Sequence, residues 1–162
     1  MTDPSHRRNF LRGQFARGQG PLRPPWALAE AVFLERCTRC GDCARACPTG
    51  IIVMRDGGYP AVDFQRGECR FCGDCVTACA PGALQRDAER PPWTIRARLG
   101  ESCLAARRIE CRVCGEQCDA RAIRFPPRAG GPPLPEIDVS RCTGCGACIA
   151  PCPVGALRVQ AP

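Results

Sequence analysis

Sixteen cysteines dominate the chemistry open to this 162-residue chain. They fall in four groups: Cys37, Cys40, Cys43 and Cys47; Cys69, Cys72, Cys75 and Cys79; Cys103, Cys111, Cys114 and Cys118; and Cys142, Cys145, Cys148 and Cys152. Groups one, two and four each read C-x2-C-x2-C-x3-C. A zinc ion normally takes two separated pairs, or cysteine with histidine, because its four ligands must enclose it tetrahedrally. Three thiolates spaced by two residues instead wrap one tight loop, which suits three irons of one cube. A Rieske centre needs two histidine ligands, and the chain has only His6.

The fourth cysteine of each group, three residues on, is expected to point to the neighbouring cube, as in bacterial two-cluster ferredoxins. Cys37, Cys40, Cys43 and Cys79 then hold one [4Fe–4S] cluster (site I). Cys69, Cys72, Cys75 and Cys47 hold its neighbour (site II). In the second half, Cys142, Cys145, Cys148 and Cys118 make a regular site III. Site IV takes Cys111, Cys114 and Cys152, with Cys103 reaching it across seven residues instead of two. That insert, Leu104 to Glu110, predicts a wider loop and the most labile cluster. The plainer alternative is that Cys103 is a buried thiol and site IV has another ligand. Proline follows the fourth cysteine at Pro48 and Pro153, and one step later at Pro81, and fixes the exit from it. Group three has Asp119 there, a second departure. Arg39, Arg45, Arg70, Arg112 and Arg141 flank ligands and would favour the reduced state, but are read first as solvated surface charges.

The elements that must position these thiols come in repeats. Groups one and two are offset by 32 residues, and the last three cysteines of groups three and four by 34. The chain thus divides into a basic extended arm over 1–32, a module over 33–86, a polar, proline-bearing linker over 87–98 and a second module over 99–162. The predicted fold class is α+β: tandem two-cluster ferredoxin-like modules built of βαβ pseudo-repeats. The coarse unit is strand, cysteine loop, one short helix carrying the fourth cysteine, turn and strand. The strands within the modules are expected at 61–64 and 136–139. Only nine aromatic residues are available, so a large conventional core is not expected, and thin cores need metals or cross-links. Trp26, after Pro24 and Pro25, reads as an anchor for the arm, and Trp93 and Tyr59 as packing residues.

Other chemistry is scarce. All 23 basic residues are arginine, which rules out a Schiff-base or P-loop lysine. No Ser/His/Asp set, dinucleotide fingerprint or flavin motif occurs, so no substrate site is expected and the visible chemistry is electron movement. Arg7 and Arg8, with Arg12, resemble a twin-arginine core, but glycine, arginine and glutamine follow where an apolar run should stand. A cytoplasmic, reduced-thiol setting is therefore expected, with no membrane span.

Several stretches together carry a resemblance. They are Arg7-Arg8 and Leu11, Arg23-Pro24-Pro25-Trp26, Phe33 to Cys40, Gly57-Gly58-Tyr59-Pro60, Glu101 to Ala105, Ile109 to Cys114, and Cys142 to Cys148. The chain resembles the NapF family of ferredoxin-type proteins of periplasmic nitrate reductase systems. The resemblance implies a cytoplasmic protein with several [4Fe–4S] clusters. It also implies contact with the catalytic molybdenum subunit of periplasmic nitrate reductase before export, to assist its maturation. Arg7, Arg8 and Arg12 are candidate docking residues for that partner. The alternative is a permanent four-cluster electron-transfer subunit of a membrane-associated oxidoreductase complex; a purely structural metal module is a third reading. The formal charge of +7 alone would point to nucleic acid. Sixteen thiolates and four oxidised cubes bring the loaded chain to about −1, which removes that inference.

Overall fold

A ligand every third residue leaves little room for regular structure, and every element in the computed structural model is short. It describes residues 21–161. The segment bearing Arg7, Arg8 and Arg12 lies outside the described residues. Helix α1 spans Glu30–Arg36, with Glu30 in its first turn and Arg36 in its last, the polarity the helix dipole favours. Helices α2 (Asp42–Arg45), α3 (Asp74–Thr77) and α4 (Val113–Glu116) are single turns. Each carries the third cysteine of its group, Cys43, Cys75 or Cys114, and the fourth cysteine follows the helix end. Group four forms turns in place of a helix.

Strands pair antiparallel: β1 (Ile52–Met54) with β2 (Pro60–Val62), β3 (Arg96–Leu99) with β6 (Leu157–Gln160), and β4 (Ile123–Arg124) with β5 (Glu136–Ile137). The β1–β2 link is residues 55–59, far shorter than the dozen or so a parallel crossover needs. Left-handed Gly57 and Gly58 make that turn, and Pro60 opens β2, where its missing N–H does least harm. In the third repeat β3 is followed by a 3₁₀ turn, α4 and β4, but β3 and β4 pair with different partners. In the first module the outer pair shrinks to one bridge, Ala27 with Leu84, because the neighbouring Pro24 and Pro25 cannot donate ladder hydrogen bonds.

Residues on both sides of the first module are more ordered than composition implies. Pro24, Pro25 and Trp26 are buried, and the Trp26 N–H donates to the Pro92 carbonyl at 2.7 Å. The Arg23 guanidinium lies 4.8 Å from the Phe33 ring centre and 5.4 Å from that of Tyr59. It also donates to Glu30 at 2.7 Å and to the Pro60 carbonyl at 3.1 Å. Strand β3 begins at Arg96, inside the stretch read as linker. The signal was present, since Ile95, Ala97 and Leu99 alternate with Arg96 and Arg98 at the strand period. One continuous buried cluster runs through both halves, from Phe33, Ile51 and Leu84 to Ile95, Ile149 and Leu157.

Candidate iron–sulfur sites

The third cysteine of every group is buried: Cys43, Cys75, Cys114 and Cys148 belong to the core itself. Burial pushes the Cys43 and Cys114 thiols up to about 11, and those of Cys75 and Cys148 to about 12. Neighbouring cysteines add to each shift, because several thiolates would share one small space. In the metal-free chain these sulfurs are neutral, and a cation must draw off their protons.

Four small pockets collect the sixteen thiols in sets of four. Cys37, Cys40, Cys43 and Cys79 line the first, against Phe33, Pro60 and Leu84. Cys47, Cys69, Cys72 and Cys75 line the second, under Pro25, Trp26 and Ile51. Cys118, Cys142, Cys145 and Cys148 line the third, beside Ala97, Ile123 and Val159. Cys103, Cys111, Cys114 and Cys152 line the fourth, with Leu99, Val113 and Leu157. This last pocket encloses no more space than the other three. The insert closes on itself as a 3₁₀ turn over Ala105–Arg107, with Ala105 buried and the Ile109 N–H donating to the Leu104 carbonyl at 3.0 Å.

Three regular loops share one backbone device. The residue before the second cysteine is left-handed (Arg39, Phe71, Gly144), and so is the glycine after it (Gly41, Gly73, Gly146). Two left-handed residues around one cysteine turn the chain tightly enough for all three thiols to face inward. Group three has Arg112 after its second-position cysteine, with an ordinary φ of −130°, because Cys103 approaches from outside the loop.

Backbone N–H groups aim at the sulfurs. The fourth cysteine accepts from the residue four positions on: Ala122 to Cys118 Sγ at 3.3 Å and Ala156 to Cys152 Sγ at 3.2 Å. Phe71 and Ala97 donate to Cys69 and Cys142, each at 3.4 Å. Burial works against the Cys47 thiolate, but the Thr49 hydroxyl and the backbone N–H groups of Ile51, Ile52 and Thr49 outweigh it and lower its pKa. Such donors stabilise charge on sulfur and raise a cluster's potential. Arg39, Arg45, Arg70, Arg112 and Arg141 are all exposed; Arg45 pairs with Asp42, Arg112 with Glu110, and Arg39 lies over the Tyr59 ring.

These donor sets fit a [4Fe–4S] cube. All sixteen cysteines are free thiols. Among the described residues, no group of three or more His, Cys, Asp or Glu side chains is gathered tightly enough to hold a single metal ion. Thiolates spread around an apolar pocket match a cube's separated corners rather than one zinc ion. Reading residue types missed the covers of these pockets, above all Pro25 and Trp26 over the second. The Arg-Pro-Pro-Trp run was visible, but its destination was not.

Two halves, each with two four-sulfur pockets and exchanged fourth cysteines, define a tandem two-cluster ferredoxin-type protein. Family models for the 4Fe-4S dicluster domain match residues 36–84 and 107–156, and the chain carries four [4Fe–4S] clusters. The second match begins beyond Cys103, so that cysteine reaches its pocket from outside the common domain. The chain is 44% identical to the ferredoxin-type protein NapF of Haemophilus influenzae, covering 95% of this chain and 93% of the relative. It is 40% identical to NapF of Escherichia coli strain K12, covering 99% and 97%. Identity to the methylamine utilization ferredoxin-type protein MauM of Methylobacillus flagellatus is 34%, covering 88% and 68%. The chain belongs to the NapF family of ferredoxin-type proteins and is an iron–sulfur electron-transfer protein. Among the described residues no helix is long and apolar enough to cross a membrane.

Proposed function

We propose that this protein is a cytoplasmic electron-transfer accessory that assists maturation of the catalytic molybdenum subunit of periplasmic nitrate reductase before export. It has no substrate site of its own. Its task is to hold and pass single electrons, or to support cluster assembly, while bound to that subunit. The observation that carries the electron-transfer part is the sorting of sixteen thiols into four sulfur-lined, otherwise largely apolar pockets. Membership of the NapF family supports the choice of partner.

The proposed ligand sets are those of sites I to IV, Cys103 included. Each loop supplies three sulfurs, and the neighbouring repeat supplies the fourth. When bound, a cube in such a site accepts and releases one electron without moving a proton. The protein's own part is to exclude water with Phe33, Trp26 and Leu157, and to donate backbone hydrogen bonds to sulfur. The proposed modules are 33–86 and 99–162, with 87–98 between them and 1–32 as the docking arm. Within that arm Arg7, Arg8 and Arg12 are the proposed contacts to the partner.

Anaerobic iron and sulfide analysis tests the site reading. About 16 of each per chain are expected, and Cys103→Ser should lose iron from site IV first. A Cys103→Ser protein with full, equally air-stable iron content would remove Cys103 from the ligand set. Co-purification of the nitrate reductase catalytic precursor with the full chain, compared with a chain lacking residues 1–20, tests the partner. Equal capture by both forms would dispose of the docking role of the arm.

A further inference from the structure

The two modules meet where the loops of sites II and III touch. The Cys69 N–H donates to the Cys145 carbonyl at 2.8 Å, so a ligand of one loop is tied directly to a ligand of the other. Trp93, from the stretch between the modules, covers this contact. Its ring stands edge-on to Phe64 at 5.7 Å and to Phe71 at 5.9 Å in the first module. Its indole N–H donates to the Thr143 carbonyl at 3.2 Å in the second.

The facing loops have been altered to fit. Arg39, Phe71 and Gly144 hold the same position before the second cysteine, with φ of 62°, 54° and 75°. Arg39, exposed, lies over Tyr59 of its own module at 5.4 Å, whereas Phe71 packs on Trp93 from the stretch between the modules. Gly144 is buried, and a side chain there would run into the Ile95 carbonyl and the Trp93 indole. Gly146 is buried too, left-handed at +83°, and a methyl group on it would enter the Phe64 ring. A side chain at either glycine would displace the residues seated on it, Ile95 and Trp93 at Gly144 and Phe64 at Gly146.

Within each module the sites are also adjacent. Helix α2, with Cys43, packs against α3, with Cys75. Cys114 of site IV sits on α4, and Cys118, four residues on, lines site III. We infer that the four sites form one line for a single electron in the order I, II, III, IV, and that Trp93, Gly144 and Gly146 are positioning residues for its middle step. This rests on the ligand sets proposed above. Each transfer oxidises the site left behind by one electron and reduces the next by one, with no proton moved. A low-potential one-electron reductant loads one end, and a one-electron acceptor empties the other.

The test is low-temperature EPR of the full-length, iron-loaded protein reduced anaerobically with dithionite. The wild-type spectrum is expected to show broad wings from spin–spin interaction. Trp93→Ala and Gly146→Val should keep their iron yet lose the part of those wings that arises at the junction. Full iron with wild-type spectra in both variants would overturn the inference. If both variants lose iron, the full chain carrying Cys40→Ser and Cys111→Ser decides, because sites II and III are then the only complete ones. A split signal supports the line, whereas two additive, isolated signals overturn it. Wild-type iron far below 16 per chain would instead count against the ligand sets themselves.

Discussion

Arg121 holds a backbone conformation that its three counterparts give to glycine. Gly50, Gly82 and Gly155 each lie three residues after a fourth cysteine, with φ between 56° and 69°. Arg121 stands there after Cys118 at φ +50°. A left-handed residue with a Cβ costs about 1–2 kcal/mol, of which glycine's extra freedom in the unfolded chain would return part. Arg121 is exposed, so Arg121→Gly removes no packing. The expected gain is roughly 0.5–1 kcal/mol, visible as slower bleaching of the iron–sulfur absorption on warming. An unchanged or faster loss would mean that the turn tolerates arginine without strain. Arg23 illustrates the opposite case, a charged residue held by structure. Its hydrogen bond with Glu30 raises its own pKa and lowers that of Glu30. The lowered carboxylate pKa gives the pair stability that is present above the ordinary glutamate range and lost as pH falls through it, modest because Glu30 is half exposed.

Short elements place the burden of order on pairing. Strand β3 meets β6 in the register Ala97 with Val159 and Arg98 with Arg158. Ala97 is buried, while Arg98 and Arg158 stand opposite each other on the solvent face. Like charges directly opposed across an antiparallel pair are destabilising, and an opposite pair contributes about 0.2–1 kcal/mol. Arg158→Glu is therefore expected to raise the melting temperature by roughly 1–2 °C at low salt. The gain should shrink in 1 M salt, where surface charges are screened. A melting point that falls, or a gain insensitive to salt, would show that the strand pair is held by something other than charge. The same pair carries strand β3 into the stretch read as linker. Its alternating face was legible, but only the partner strand at the far end of the chain makes it a sheet.

At the scale of the whole molecule the metal sites and the core are one object. Among the described residues, four of the sixteen in the main buried cluster are third-position cysteines, and Phe33 and Trp26 pack directly on sulfur-lined pockets. Removing iron leaves neutral thiols around four hollows, with few large apolar residues to close them. Chelation under anaerobic conditions is thus expected to abolish the cooperative thermal transition and most far-UV circular dichroism of the elements. A metal-free chain that melts cooperatively with native-like dichroism would refute this. Cysteine spacing alone was enough for the cofactor class and the two dicluster halves, because both follow from local loop geometry and a 32-residue repeat. The closure of the Cys103 insert, the seating of Arg-Pro-Pro-Trp on sites I and II, and the junction of Cys69 with Cys145 were not legible. Each depends on which surfaces meet after the loops have formed, and a contact between residues far apart in the chain has no local spacing to announce it.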